Sequence, residues 1–235
     1  MKRAALLSIA LVTFFVAARG QQSQQITVTG QVELLGSTDH SNAVVWLNPV
    51  ALQAPAPASS RRQAGQLLQK NKTFSPHLLV VQVGSAVDFP NRDPFFHNVF
   101  SLFEGKRFDL GLYEAGSTRS VVFNRAGVSY IFCNIHPEMS AIVVALNTPY
   151  YGISDTKGSI TIPNVPAGTY DLEVWHERVL PENLEKAKHR IQMSASSSSF
   201  GIIRLMAQRN PQIHKNKYGR DYDRPEPDSP AYARP

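Results

Sequence analysis

The stretch that decides the fold is Ser129-Tyr130-Ile131-Phe132-Cys133-Asn134-Ile135-His136-Pro137-Glu138-Met139-Ser140-Ala141-Ile142-Val143-Val144-Ala145-Leu146. Residues 129–132 and 141–146 are dense in β-branched, aromatic and aliphatic side chains and read as two strands. Between them, Cys133, His136 and Met139 offer a thiolate, an imidazole and a thioether from one loop held at both ends by a sheet. Working outward, strands are expected at 78–83, 86–89, 97–103 and 119–123. The turns that separate them are Gly84-Ser85, Asn91-Arg92-Asp93-Pro94, Glu114-Ala115-Gly116 and Arg125-Ala126-Gly127. Short strands at this spacing predict an all-β antiparallel sandwich or barrel rather than an α/β fold.

The flanks are β-rich too. Residues 26–35 and 43–47 read as a hairpin, within an N-terminal segment 21–52. Residues 53–72 carry Ala-Pro repeats and Ser59-Ser60-Arg61-Arg62, and read as a polar linker with at most one helical turn. A central domain spans 73–148. A second β-module spans 149–206, with strands at 159–162, 169–176, 189–194 and 200–206 and a turn over 163–168. The polar, proline-bearing segment 207–235 reads as a disordered tail.

Composition narrows the class. The 235 residues (26.0 kDa) are 43% hydrophobic and 18% charged, a globular balance. Sixteen prolines and fourteen glycines recur without a period, which excludes a collagen-like repeat. Lys2 and Arg3 precede an uncharged run to Ala18, and Ala18-Arg19-Gly20 supplies small residues for cleavage, so residues 1–20 read as a secretory signal. The run is shorter than the roughly 20 residues that cross a bilayer. The expected location is therefore periplasmic or extracellular, with no membrane span in the mature chain. Removal of residues 1–20 takes Lys2, Arg3 and Arg19 from the 24 basic side chains, leaving 21 against 18 acidic, a formal +3. With its basic residues dispersed, the chain gives no warrant for nucleic-acid binding. A single cysteine, Cys133, excludes an intramolecular disulfide.

A fourth donor lies 36 residues upstream of Cys133, at His97 within Phe95-Phe96-His97-Asn98-Val99. Two nitrogens and a thiolate with a weak axial thioether form the ligand set of a mononuclear blue-copper centre, and methionine suits Cu(I) far better than Zn²⁺. A Cys133/His136 nucleophile–base pair is the weaker reading, because a tight loop ending in Met139 suits a metal better than a substrate cleft. His77 and His176 read as hydrogen-bonded structural histidines, His40, His189 and His214 lie in polar surroundings, and Glu138 and Glu177 read as solvated.

The segments Phe89-Pro90-Asn91-Arg92-Asp93-Pro94-Phe95-Phe96-His97-Asn98-Val99 and Cys133-Asn134-Ile135-His136-Pro137-Glu138-Met139 resemble the cupredoxins, particularly the plastocyanin, amicyanin and pseudoazurin group. The Cys-x-x-His-x-x-Met spacing is closest to amicyanin and pseudoazurin. The resemblance covers 73–148 and implies a Greek-key β-sandwich holding one type 1 copper through His97, Cys133, His136 and Met139. It further implies that Asn98 ties the two ligand loops together near the thiolate. Phe95, Phe96, His136 and Pro137 would then form the docking surface for a redox donor and acceptor. The matching stretch is short, so one or two strands of the sandwich are expected either to come from elsewhere in the chain, with 26–47 the candidate, or to be missing. Residues 26–47 and 158–176, especially Ile162-Pro163-Asn164-Val165-Pro166-Ala167-Gly168-Thr169-Tyr170, resemble the carboxypeptidase regulatory-like, transthyretin-like sandwich. The copper domain is then inserted into, or packed against, a discontinuous second module. The function this implies is single-electron transfer without substrate chemistry, hence no enzyme: further His clusters for a multicopper enzyme and a second cysteine for a binuclear centre are both lacking. Two rivals use the same residues, a copper-delivery module and an envelope interaction protein that the metal merely stabilises.

Overall fold

A computed structural model describes residues 25–51, 65–102, 105–208 and 215–222. The expected signal segment lies outside these residues, as does most of the expected linker. In chain order the elements are β1 (Gln25–Leu35), β2 (Val44–Pro49), β3 (Gly65–Gln66), β4 (Leu68–Lys70), β5 (Thr73–Ser75), β6 (Leu78–Gln82), β7 (Ser85–Pro90), β8 (His97–Ser101) and β9 (Phe108–Tyr113). They continue with β10 (Thr118–Phe123), β11 (Gly127–Cys133), β12 (Ser140–Leu146), β13 (Tyr151–Ile153), β14 (Ser159–Pro166), β15 (Gly168–Trp175), α1 (Pro181–Ala187), β16 (His189–Met193) and β17 (Ser199–Met206). The chain is all-β apart from one seven-residue helix among the described residues.

The central domain is a sandwich of the sheets β10-β7-β3 and β6-β12-β11-β8-β9. Between them lies a core that includes Leu67, Phe89, Val99, Tyr113, Phe123, Ile131, Cys133, Met139 and Val143. Around this insert, β1 and β2 combine with β13 to β17 into a second sandwich of the sheets β14-β1-β17 and β13-β2-β15-β16. The second module is therefore discontinuous, split by the central domain.

The two cores meet through β12. Ala141, Val143 and Ala145 face the central core, while Ile142, Val144 and Leu146 join Leu78 and Val80 in the core of the second module. This double burial explains the unbroken run Ala-Ile-Val-Val-Ala-Leu: a strand covered on both faces loses the polar alternation of a half-exposed one. Tyr130 and Trp175 meet edge to face at the same junction, with centroids 6.5 Å apart.

Four expectations are corrected. First, β1 and β2 do not form a hairpin; they lie in opposite sheets of the second sandwich, because each contributes one face to its shared core. Second, the strands that complete the central domain come from β3, β4 and β5 rather than from 26–47, so the polar linker ends before Gly65. Strands of two or three residues are too short to show a period. Third, the expected turn over 163–168 is largely strand, since β14 runs through to Pro166 with Asn164 at φ +58° as its irregular point. Fourth, residues 215–222, read as tail, are ordered against the central domain. The strands β9 and β13 and the helix α1 were also not anticipated.

Glu177 is not simply solvated. It accepts a hydrogen bond from His77 Nε2 at 2.8 Å, linking the end of β15 to the start of β6, while His77 Nδ1 lies 3.3 Å from the Ser140 carbonyl. The carboxylate holds His77 above its ordinary 6.5 against the opposing effect of burial, and the His77 hydrogen bond holds Glu177 below its ordinary 4.5. The histidine's contribution to stability is full below 6.5 and is lost as pH rises through its raised value; the carboxylate's is present above 4.5 and is lost on acidification. The difference in melting temperature between the native chain and Glu177→Gln should be widest between pH 4.5 and 6.5 and narrower at about pH 8. Equal differences in both ranges would show that the pair does not couple the modules.

Candidate metal centre

His97 opens β8, Cys133 closes β11, and His136 and Met139 sit in the loop that leads into β12. The loop is tied at its base: Cys133 N–H donates to the Met139 carbonyl at 3.2 Å, and Met139 N–H to the His136 carbonyl at 3.1 Å. The pairings Cys133↔Val99 and Phe132↔Phe100 bring the end of β11 beside β8. Opposite β8, the register shifts between Asn98/Leu112 and Phe100/Asp109, leaving an extra residue on β9 where Gly111 takes φ +67°. A bulge at this point re-aims neighbouring side chains, as bulges beside functional sites do.

The result is a buried triangle. Cys133 Sγ lies 3.7 Å from His97 Nδ1 and 3.5 Å from His136 Nδ1, and the two Nδ1 atoms are 3.2 Å apart. His97 and Cys133 are fully buried and His136 is 3% exposed. A planar three-coordinate site with bonds of about 2.0 Å to nitrogen and about 2.3 Å to sulfur needs donor separations of roughly 3.5–3.7 Å. Both edges to the sulfur, 3.7 and 3.5 Å, fall within that range, and the Nδ1–Nδ1 edge, at 3.2 Å, is a few tenths of an ångström shorter. Among the described residues this is the one cluster of histidine, cysteine and carboxylate groups with a metal-binding geometry. Met139 is fully buried in the same core as Cys133.

Each donor is prepared by its surroundings. His97 Nε2–H donates to Asp93 Oδ2 at 2.9 Å, which fixes the tautomer and leaves Nδ1 as a bare lone pair facing the triangle. Asp93 is itself 5% exposed, and burial alone would raise its carboxyl. Three donors outweigh that and hold it below its ordinary value: the Lys72 N–H at 3.0 Å, His97, and the Asn71 N–H at 2.6 Å. Asn71 and Lys72, both at positive φ, form the two-residue turn between β4 and β5, and their successive N–H groups cradle the carboxylate.

Burial also sets the protonation of the ligands. Desolvation lowers His97 despite Asp93, and desolvation together with His97 pushes His136 down to about 4. Both imidazoles are thus neutral at pH 7. Desolvation raises the Cys133 thiol, offset in part by backbone N–H groups of Ile135, Asn98 and His136 aimed at the sulfur. Phe95 caps the triangle, its ring 5.3 Å from that of His97 and 5.6 Å from that of His136.

The residues singled out in the sequence are thus brought together: His97, Cys133 and His136 in the triangle, Met139 in the adjoining core, and Asn98 between the ligand loops. The Asn98 carbonyl accepts from Asn134 N–H at 3.2 Å, and its Nδ2–H donates to Asp109 at 2.7 Å. Phe96, by contrast, is 53% exposed. Sequence reasoning missed Asp93, read only as part of a turn, and the Asn71–Lys72 pair, read as linker. A carboxylate four residues before a ligand histidine was the available signal for the first.

Similarity to solved structures is confined to part of the chain. A purple cupredoxin from Nitrosopumilus maritimus shares 26% identity, over 35% of this chain and 99% of that one, with a TM-score of 0.32. A reduced, Cu(I) form of amicyanin shares 22%, over 43% of this chain and 98% of that one, with a TM-score of 0.34. A copper-containing nitrite reductase from Thermus scotoductus SA-01 shares 23%, over 43% of this chain and 26% of the reductase, with a TM-score of 0.35. No protein-family model matches the chain, and no curated protein matches it. On the evidence of its own sheets and donor triangle, the chain is all-β among the described residues apart from one short helix, and it carries a buried His97-Cys133-His136 cluster able to hold a metal ion.

Two outcomes are expected. Because both histidines are neutral and the thiol is protonated at neutral pH, metal uptake by the metal-free protein should release about one proton per ion, measurable by titration calorimetry in buffers of different ionisation heat. Release of two or more would contradict neutral histidines. Asp93→Asn, which keeps the shape but removes the charge behind His97, should weaken copper affinity by about tenfold in chelator competition; an unchanged affinity would show that the carboxylate only packs.

Proposed function

We propose that the protein is an exported type 1 copper protein that carries single electrons between redox partners, with His97, Cys133 and His136 as equatorial ligands and Met139 as the weak axial one. The observation that carries this reading is the buried Nδ1–Nδ1–Sγ triangle, with edges of 3.2–3.7 Å, built from the ends of β8 and β11 and the short loop tied between β11 and β12. Copper held there supplies a reversible one-electron couple. The chain's part is to keep the donors in one place in both oxidation states, since donors that do not move keep reorganisation on electron transfer small. Asp93 holds the His97 ring from behind, the paired ends of β8 and β11 hold Cys133, and Phe95 excludes water from the triangle. Backbone N–H groups at the sulfur, including that of Asn98, balance the charge of the thiolate.

Exposed Phe96 and Pro137, beside half-buried Phe95, offer an apolar approach to His136 for a redox donor and acceptor. The same reading takes residues 1–20 as a cleaved export signal and places the protein in the periplasm or outside the cell. Among the described residues no helix is long and apolar enough to cross a membrane.

The decisive experiment loads the protein with Cu(II) and records its visible and electron paramagnetic resonance spectra beside Cys133→Ala. An intense thiolate-to-copper band with narrow copper hyperfine splitting, absent from the variant, is expected. A colourless or ordinary cupric spectrum would overturn the electron-carrier reading, and rapid loss of Cu(I) to a chelator would replace it with copper delivery.

A further inference from the structure

The segment 215–222 follows the second sandwich in sequence yet lies against the ligand loop of the first. It is a built turn: Asn216 Oδ1 accepts from Tyr218 N–H at 3.0 Å and Arg220 N–H at 3.1 Å, and Gly219, at φ +75°, donates to the Asn216 carbonyl at 2.9 Å. From this turn Lys217 makes two contacts. Its N–H donates to Asn134 Oδ1 at 2.9 Å, and its Nζ donates to Asp109 Oδ2 at 2.9 Å. Asp109 Oδ1 accepts from Asn98 Nδ2–H at 2.7 Å, and the Asn98 carbonyl accepts from Asn134 N–H at 3.2 Å. The four residues Asn98, Asp109, Lys217 and Asn134 thus close a ring of hydrogen bonds. A fifth contact is direct: Tyr222 donates its O–H to the backbone carbonyl of Cys133 at 2.7 Å. Burial, with Cys133 and Glu138 adding to it, keeps that phenol protonated and therefore a donor.

We propose that Lys217 and Tyr222 are positioning residues for the Cys133 ligand, the segment 215–222 closing a ring that holds the Cys133–Asn134 peptide against Asn98 beside the sulfur. The inference rests on the copper reading above and deepens it. The ring holds Asn98 at its side-chain Nδ2 and at its main-chain carbonyl, so the ligand loop and β8 cannot separate here without breaking one of its hydrogen bonds. Tyr222 fixes the carbonyl side of the Cys133–Asn134 peptide, whose N–H donates to the Asn98 carbonyl. A donor at a thiolate draws electron density from it and favours the reduced metal, so slackening the ring should favour Cu(II). The C-terminal segment thereby adjusts the redox balance of a site whose ligands all lie at least 76 residues earlier in the chain.

The test uses the full chain loaded with copper and the variants Tyr222→Phe, Lys217→Met and Lys217→Arg, each checked by thermal unfolding and copper stoichiometry. At a fixed mediator potential, Tyr222→Phe and Lys217→Met should each shift the Cu(I):Cu(II) ratio about three- to tenfold toward Cu(II), at the low end of what partners beyond the ligands contribute. Both should also move the thiolate-to-copper band. Lys217→Arg, which keeps a cation on Asp109, should restore the native ratio. Were Lys217→Met to fail to fold, Tyr222→Phe, whose ring fills the same space, decides alone. A native band and ratio in Tyr222→Phe and Lys217→Met would overturn this inference while leaving the copper reading intact. A native protein with no thiolate-to-copper band would overturn both.

Discussion

Strand β12 of the sheet β6-β12-β11-β8-β9 is buried on both faces, and the remainder of the structure is arranged around that constraint. A strand such as β12 can be apolar throughout only if a second layer covers its far side, and the sandwich formed by β1, β2 and β13–β17 is that layer. The side chains are divided by size. Two alanines and a valine, Ala141, Val143 and Ala145, face the central core, and the bulkier set Ile142, Val144 and Leu146 faces the flanking module. Both ligand-bearing strands, β8 and β11, belong to this sheet, so the donors inherit its rigidity. Close-packed surroundings deform little, which is the property a site with one geometry for two oxidation states requires.

The electrostatics follow from the same burial. A desolvated triangle of two neutral imidazoles and a thiol is a poor place for isolated charge, and the carboxylates Asp93 and Asp109 near it are met by donors or an opposite charge. Asp93 is satisfied by two backbone N–H groups of the Asn71–Lys72 turn and by His97. The thiolate that metal binding would create is met by three backbone N–H groups. Asp109, at the rim, is paired with Lys217 and also accepts from Asn98 and from Gly111 N–H. Local turns, bulges and a distant segment of chain thus serve one end, the orientation of a few donors around a single sulfur.

Local patterning is strong where strands are long or ligands are close in sequence. The run from Ser129 to Leu146 carried both the strand–loop–strand frame and three candidate ligands, and His97 was legible as the fourth because it stands in an aromatic, strand-like setting. The discontinuous second sandwich was also readable, from the β-runs on either side of the insert. The short strands β3 to β5 were not, because two or three residues carry no period and Leu67 and Gln69 become core positions only once β7 lies beside them.

The amino-acid sequence alone therefore determined the all-β class, the split between two modules and the identity of the candidate copper donors, since these depend on residue type and on spacing along the chain. Tertiary structure alone decided which groups orient those donors. Asp93 meets His97 through a turn, its charge met by a β-hairpin some twenty residues away, and Lys217 and Tyr222 reach the Cys133 loop from beyond the second module. Such partners are selected by proximity in space, and a single sequence holds no local signal for a hydrogen bond that spans 83 or 89 residues.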